Sequence, residues 1–368
     1  MSDPIEPDWR IPGGAGRDLG IGIVGCGDIV RRCHLPAYRA AGLRVLAVTD
    51  VDPRRARALA EDFGIAAVAA DAAALVTTPG VAIVDIAVPP TFQPGIVSLA
   101  AAAGRHMLCQ KPLALDIATV REMVALAERS GVRLAVNQQL RWSAGIRASR
   151  DLISRGAIGR PTGARFTISG GADWSPWPWL REAPRLEAMV HGIHYLDAIR
   201  SLFGDPERIT SIHGRAPGQL DVAGETRTTT ILEYADGRQA VLVVDTDDPH
   251  GPPLGEMRFT GTEGTLAGTI GLSYDPPDGR PDSLALHVAG EQPVTFAFDT
   301  RWFPDAFLGP MVDLMDAVAT DREPTTSGTD NLRTIAVVLA AYRSAEERRS
   351  VHLEEILDDA WPAPHRDL

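Results

Sequence analysis

Residues Leu19 to Val30, Leu-Gly-Ile-Gly-Ile-Val-Gly-Cys-Gly-Asp-Ile-Val, place two glycines where an apolar run stops, and this junction constrains the chain most. Gly25 and Gly27 let a buried strand turn sharply into a helix beginning near Ile29. Without a Cβ, their backbone N–H groups can approach a pyrophosphate at the positive end of the helix dipole, with Asp28 and Ile29 beside it. A second apolar run, Leu43 to Asp50, ends in a carboxylate 23 residues after Gly27. A spacing of about 20 is where an acidic side chain meets the ribose hydroxyls of NAD. The third glycine of the G-x-G-x-x-G pattern is replaced by Val30, and methyltransferases use similar turns for S-adenosylmethionine, which is the rival ligand. With strand, turn, helix and acidic strand end in register, a dinucleotide is the expectation. A carboxylate at Asp50 repels a 2′-phosphate and favours NAD, while Arg54 and Arg55 keep NADP open.

At 368 residues, with 45% hydrophobic and 23% charged residues, the chain can bury two cores as a soluble globular protein does. The 36 basic and 48 acidic side chains leave a net charge of −12, with no basic run interleaved with aromatics, so nucleic acid is not an expected partner. Cys26, Cys33 and Cys109 show no paired spacing, which argues against a disulfide framework and a cysteine zinc site and for a reducing, cytoplasmic setting. Residues 1–18 are polar and Pro/Gly-rich and read as a flexible tail without the basic and apolar parts of a secretory signal. No apolar run is long enough to span a bilayer, so no membrane partner is expected.

From Leu19 to about Val136, strands at Leu19 to Val24, Leu43 to Asp50, Ala66 to Ala69, Ala82 to Val88, His106 to Cys109 and Leu134 to Val136 alternate with helical segments. Apolar strands alternating with helices imply an α/β fold with a doubly wound parallel sheet and a ligand crevice at the carboxyl ends of its strands. Gly25, Gly27, Asp50, Val88, Pro89, Gln110, Lys111 and Asn137 all fall at such ends. Beyond Asn137 a helix (about Ala144 to Arg155) leads into seven strand-like runs with hairpin signals such as Ala235-Asp-Gly237, interrupted near Leu186 to Phe203 and closed by helices near Phe307 to Ala319 and Thr329 to Arg348. The domains expected are 19–136, a dinucleotide-binding domain, and 137–368, an α+β substrate domain on an open, mostly antiparallel sheet. An open sheet face invites a homodimer or homotetramer.

Lys111, in His106-Met-Leu-Cys-Gln-Lys-Pro112, can take the proton of an alcohol as hydride leaves the same carbon, provided desolvation and nearby positive charge favour its neutral form. A solvated surface lysine is the alternative, and a cis bond before Pro112 is left open. In Met189-Val-His-Gly-Ile-His-Tyr-Leu-Asp197, helical spacing makes His191 and His194 neighbours and puts Asp197 one turn further. His194 is then a general acid or base and His191 a second substrate contact, with Asp197 an intrahelical partner. No third and fourth ligand at matching spacing supports a metal there. Asn137 and Arg141 could hold substrate hydroxyl or carboxylate groups, with an interdomain ion pair an equal reading for Arg141. Trp174-Ser-Pro-Trp177-Pro-Trp179 is a proline-stiffened loop whose indoles could stack on sugar rings or cover a subunit contact.

Over Leu19 to Leu353 these residues resemble the glucose-fructose oxidoreductase / inositol dehydrogenase / MocA family. The resemblance is carried by Gly25-Cys-Gly27, Cys109-Gln-Lys-Pro112 in place of the family's Glu-Lys-Pro, Asn137 to Arg141, Gly192-Ile-His194-Tyr-Leu-Asp197, Trp302-Phe-Pro-Asp-Ala-Phe and Thr326-Ser-Gly-Thr-Asp-Asn331. It implies a Rossmann domain, a second α/β domain, NAD or NADP, and redox chemistry at a secondary alcohol of a sugar, cyclitol or related polyol, with Lys111 and His194 in the catalytic roles. Three positions depart from the family pattern. Gln110 replaces a carboxylate, Val190 stands where inositol-type dehydrogenases carry an Asp, and Val88-Pro-Pro-Thr-Phe-Gln93 differs from the usual Thr-Pro-Asn-x-x-His. His191 is the expected substitute in the proton relay, and Val88, Pro89, Gln93 and Gln110 are expected beside the nicotinamide. A dehydrogenase of a sugar or sugar-derived alcohol is the leading expectation. A redox-neutral lyase or glycosidase that retains NAD, or a non-catalytic dinucleotide sensor, are the alternatives.

Overall fold

The computed structural model describes residues 6–215, 221–248, 250–275 and 278–358, and they divide into two compact units. The first contains Ile11–Gln139 and Pro304–Ile335; the second contains residues 6–10, Leu140–Phe303 and 336–358.

In the first unit, the apolar runs form β1 (Gly20–Val24), β2 (Val45–Thr49), β3 (Ala67–Val68), β4 (Val81–Ile86), β5 (His106–Cys109) and β6 (Leu134–Val136). All pairs are parallel and the spatial order is β3-β2-β1-β4-β5-β6, with β1 entirely buried. Helices Pro53–Phe63, Ala72–Val76 and Ile117–Arg129 each start behind an aspartate (Asp52, Asp71, Asp116) that accepts a first-turn backbone N–H. The strand order reverses between β1 and β4, which fixes the ligand crevice of such a sheet at the carboxyl ends of those strands.

A purely sequential division at residue 136 omits 304–335 from this unit. That segment returns to the edge strand: Val136 N donates to Thr326 O at 2.8 Å, Ala135 bridges Ser327, and Arg133 pairs with Asp321 and Glu323. Nor are the described residues of the amino-terminal segment loose. Trp9 packs edge-on against Phe298 and its carbonyl accepts from Arg147 Nε, while Ala15 N donates to Asp316 Oδ1. Residues 1–5 of the expected tail lie outside the described residues.

The second unit carries β7 (Pro161–Ser169), β8 (Arg208–Gly214), β9 (Arg227–Glu233), β10 (Gln239–Asp245), β11 (Leu254–Gly261), β12 (Gly264–Thr269), β13 (Ser283–Val288), β14 (Val294–Phe296) and β15 (Val351–His352). Their order is β14-β13-β12-β11-β7-β10-β9-β8-β15, antiparallel except for β7 beside β10. Alternate residues decide its two faces. Phe166, Leu242, Leu232, Met257, Phe259 and Leu266 are buried on one side, where Tyr195 of helix Ile193–Phe203 meets Phe166 with ring centroids 5.9 Å apart. The other side presents Ile212, Ile231, Arg165 and Arg258 to solvent.

Candidate active site

Gly25 adopts φ +99°, and a Cβ there would come within 2.3 Å of the Ala87 carbonyl oxygen, so the turn after β1 requires glycine. Gly27 is different: a Cβ would meet nothing within 4 Å, leaving its backbone open to a ligand. Past Asp28, which is exposed, and the half-buried Ile29, the chain enters a π-helical turn, Val30–His34. Asp50, at the end of β2, accepts Cys26 N at 2.7 Å through Oδ2 and Asp52 N at 2.8 Å through Oδ1. Its carboxylate is thereby held at the glycine turn with lone pairs left for two ribose hydroxyls. An open backbone at Gly27 and a fixed carboxylate at Asp50 fit a dinucleotide. Arg54, expected as a possible 2′-phosphate contact, is drawn onto Asp52 by two side-chain hydrogen bonds of 3.1 Å. Burial and the Asp50 charge push the Cys26 thiol up to about 12, so it stays protonated there.

At the end of β5, the Lys111–Pro112 bond is cis. Gln93 corrects an expectation: its side chain is fully buried and Nε2 donates to both Gln110 O and Pro112 O at 2.9 Å, so it braces the lysine loop and offers no surface to a cofactor. Val88, Pro89 and Lys111 are partly exposed. Gln110 Oε1 accepts from Lys111 N at 2.9 Å, which turns its Nε2 toward His34 Nε2 at 3.0 Å. Asn137 Nδ2 reaches the same ring nitrogen at 3.2 Å, and His34 Nδ1 lies 2.7 Å from Asp85 Oδ2. Tyr38 O–H donates to that oxygen at 2.8 Å. Because Gln110 presents a donor to His34, the ring nitrogen facing it must accept, which places the ring N–H toward Asp85. Asn137, expected at the substrate, is itself fully buried and part of this network. His34 and Asp85 went unnoticed in the sequence because a single polar residue within an apolar strand or helix carries no periodic signal.

In the second unit, the helix that carries the two histidines opens with a π-helical turn, Ala188–Gly192. Their rings have different neighbours. His194 is 4% exposed and sits edge-on to Trp302, centroids 5.2 Å apart; His191 stacks on Trp174 at 5.0 Å and 26°. His191 Nδ1 is 3.2 Å from Oε2 of the buried Glu187, and Thr246 Oγ1 lies 2.8 Å from the same oxygen. Glu187, four residues before His191, is legible as a helical neighbour but drew no attention.

Two further expectations are corrected. Arg141, expected at the substrate or in an interdomain ion pair, is 4% exposed and gives two hydrogen bonds of 2.6 Å to Asp197, so its guanidinium is committed to a buried ion pair within the second unit. Trp174, 2% exposed, belongs to an apolar cluster with Leu180, Leu186 and Val222 and cannot stack on a sugar, whereas Trp177 and Trp179 remain exposed. Their short spacing hid a split in which one indole anchors the loop and the others face out.

Among the described residues no group of three or more His, Cys, Asp or Glu side chains could hold a metal ion, and no helix is long and apolar enough to cross a membrane. Residues 19–138 match the model of an oxidoreductase family with an NAD-binding Rossmann fold, and 146–267 match the GFO/IDH/MocA C-terminal domain. The chain belongs to the Gfo/Idh/MocA oxidoreductase family. This Gfo/Idh/MocA protein is 34% identical to a D-apiose dehydrogenase of Paraburkholderia graminis, over 92% of this chain and 90% of the relative. A myo-inositol 2-dehydrogenase of Thermotoga maritima is 23% identical over 92% of this chain and 99% of the relative. An oxidoreductase from Agrobacterium radiobacter, solved with NAD+, L-tartaric acid and magnesium, superposes with a TM-score of 0.79 at 29% identity, covering 92% of this chain and 99% of that one. As a Gfo/Idh/MocA oxidoreductase, the protein is an enzyme of the NAD(P)-binding kind.

Proposed function

We propose that the protein is an NAD-dependent dehydrogenase acting on a secondary alcohol of a sugar or sugar-derived polyol, in the cytoplasm, as a homodimer or homotetramer joined through the open face of the nine-stranded sheet. The observation that carries the cofactor reading is the Asp50 carboxylate, held by Cys26 N and Asp52 N at the glycine turn. A fixed negative charge beside the ribose favours hydroxyls over a phosphate. The kinship with D-apiose dehydrogenases supports a small sugar as substrate. Gly25, Gly27, Asp28, Ile29, Val88, Pro89, Gln110 and Lys111 would line the cofactor, whose nicotinamide, when bound, takes up the hydride. Lys111, its loop clamped by Gln93 and Gln110, would receive the alcohol proton, with His194 as the partner acid or base and His191 and Trp177 contacting the substrate.

Purified protein mixed with NAD or NADP and a panel of pentoses including D-apiose, hexoses, inositols and glycosides tests this, with reduced nicotinamide absorbance and products followed together. The expected result is stoichiometric NADH with one small-sugar class and a slower reaction with NADP. Product without net NADH, or cofactor binding without turnover of any member, overturns it.

A further inference from the structure

The second unit holds a buried carboxylate, Glu187, at the start of the helix that carries His191. Glu187 is fully buried; Oε2 meets His191 Nδ1 and Thr246 Oγ1, while Oε1 is buried without a protein hydrogen-bond partner. A buried, half-satisfied carboxylate costs stability, so what it orders is worth asking. Its backbone is pinned on both sides: Leu186 N and Ala188 N donate to the Glu225 carboxylate at 3.1 and 2.9 Å, and Met189 N to Tyr342 Oη at 3.2 Å. The neighbouring Val190 packs against the Trp174 cluster and offers no polar group. His191, held by Glu187, reaches solvent, its side chain 39% exposed.

A carboxylate at Nδ1 retains the proton on that nitrogen and leaves the lone pair on Nε2. Trp174 covers one face of the ring and opposes its rotation. We propose that Glu187 is a positioning residue that, with Thr246, fixes His191 as the Nδ1–H tautomer, so that Nε2 accepts a hydrogen bond from a substrate hydroxyl and selects polyols that present a donor there. This rests on the dehydrogenase reading for its substrate but not for its tautomer. A site built to bind a hydroxyl discriminates strongly against an analogue lacking it, because its acceptor is left unpaired.

Nitrogen-15 NMR of imidazole-labelled protein, without cofactor or substrate, reads the tautomer of His191, assigned through a His191→Gln spectrum. The expected spectrum of the uncharged ring shows Nδ1 protonated and Nε2 unprotonated. In Glu187→Ala the two tautomers mix, and Glu187→Gln, which keeps a carbonyl acceptor, restores the first. With D-apiose as the probe, Glu187→Ala raises KM about tenfold with kcat changed far less, the size of one lost oriented hydrogen bond. A wild-type ring protonated on Nε2 overturns the proposal, and so does an unchanged tautomer in folded Glu187→Ala. Should that variant fail to fold, Thr246→Val, which removes the hydroxyl's contacts with Glu187 and with Thr226 O, is expected to broaden the same tautomer signals, and an unbroadened spectrum counts against the proposal. Failure of D-apiose to react overturns the substrate reading while leaving the tautomer result standing.

Discussion

Lys111 is the side chain on which the proposed chemistry depends, and its loss should show in turnover far more than in binding. Replacing it with alanine removes the proton acceptor while leaving Gly25, Gly27 and Asp50 in place. The expected outcome is a fall in turnover of about 10²-fold or more with cofactor affinity nearly unchanged, read by steady-state kinetics beside a fluorescence titration with NADH. Surviving turnover would remove Lys111 from catalysis. Asp50 tests the opposite property. Asp50→Ala takes away the charge that opposes a 2′-phosphate, and with Arg54 and Arg55 nearby the ratio of kcat/KM for NAD over NADP should drop, by about tenfold for one charged hydrogen bond. An unchanged ratio would place the ribose elsewhere.

Between elements, one buried tie in the second unit is the bidentate Arg141–Asp197 pair, which joins the turn before helix Ala144–Ser154 to helix Ile193–Phe203. Both partners are almost wholly buried. Removing one member strips a buried charge of its bidentate partner, so Asp197→Ala is expected to cost about 3–5 kcal/mol, whereas the double change Arg141→Met with Asp197→Leu should recover most of it. Thermal unfolding of the three variants decides the matter: a double variant no more stable than Asp197→Ala would show that the charges were not what was lost. This pair also marks where the sequence stopped being legible. Strands β7 to β13 follow from strand-like runs bounded by turn signals, and β1 to β6 from apolar runs between helices, because burial leaves a trace in composition. Arg141 carries no such trace, since a guanidinium facing substrate and one facing a buried aspartate have the same local sequence. The same limit hid His34 and Asp85, and it misassigned Gln93 and Trp174. For the two-residue strands β3 and β15 no pattern of useful length exists, and only β3 was anticipated.

At the scale of the whole molecule, groups whose charge burial disfavours should make stability depend on pH. His213, on the covered face of β8, packs edge-on against Tyr342 with centroids 4.7 Å apart, and burial, assisted by the charge of Arg185, lowers it from 6.5 to about 4. Its folded-state value lies below the unfolded one. The unfolded chain therefore takes up the proton first as pH falls, and the stability present above about 6.5 is lost progressively down to about 4. A shift of this size corresponds to at most about 3 kcal/mol. Glu225, hydrogen-bonded to the same Tyr342, and Asp282 act in the reverse sense: burial raises both, so their protonation as pH falls relieves a cost carried at neutrality. The wild-type curve sums these opposed contributions, so its shape alone identifies none of them. His213→Gln isolates one, because the carboxylates are common to both proteins and cancel in the difference. Denaturant unfolding at a series of pH values should show the two proteins separated by a constant offset above about pH 7, with the gap then shifting toward the variant by about 2–3 kcal/mol as pH approaches 4. If the gap holds constant throughout that interval, His213 is charged as readily in the folded protein as in the unfolded chain, and the ring does not sit in the dry environment beneath Tyr342.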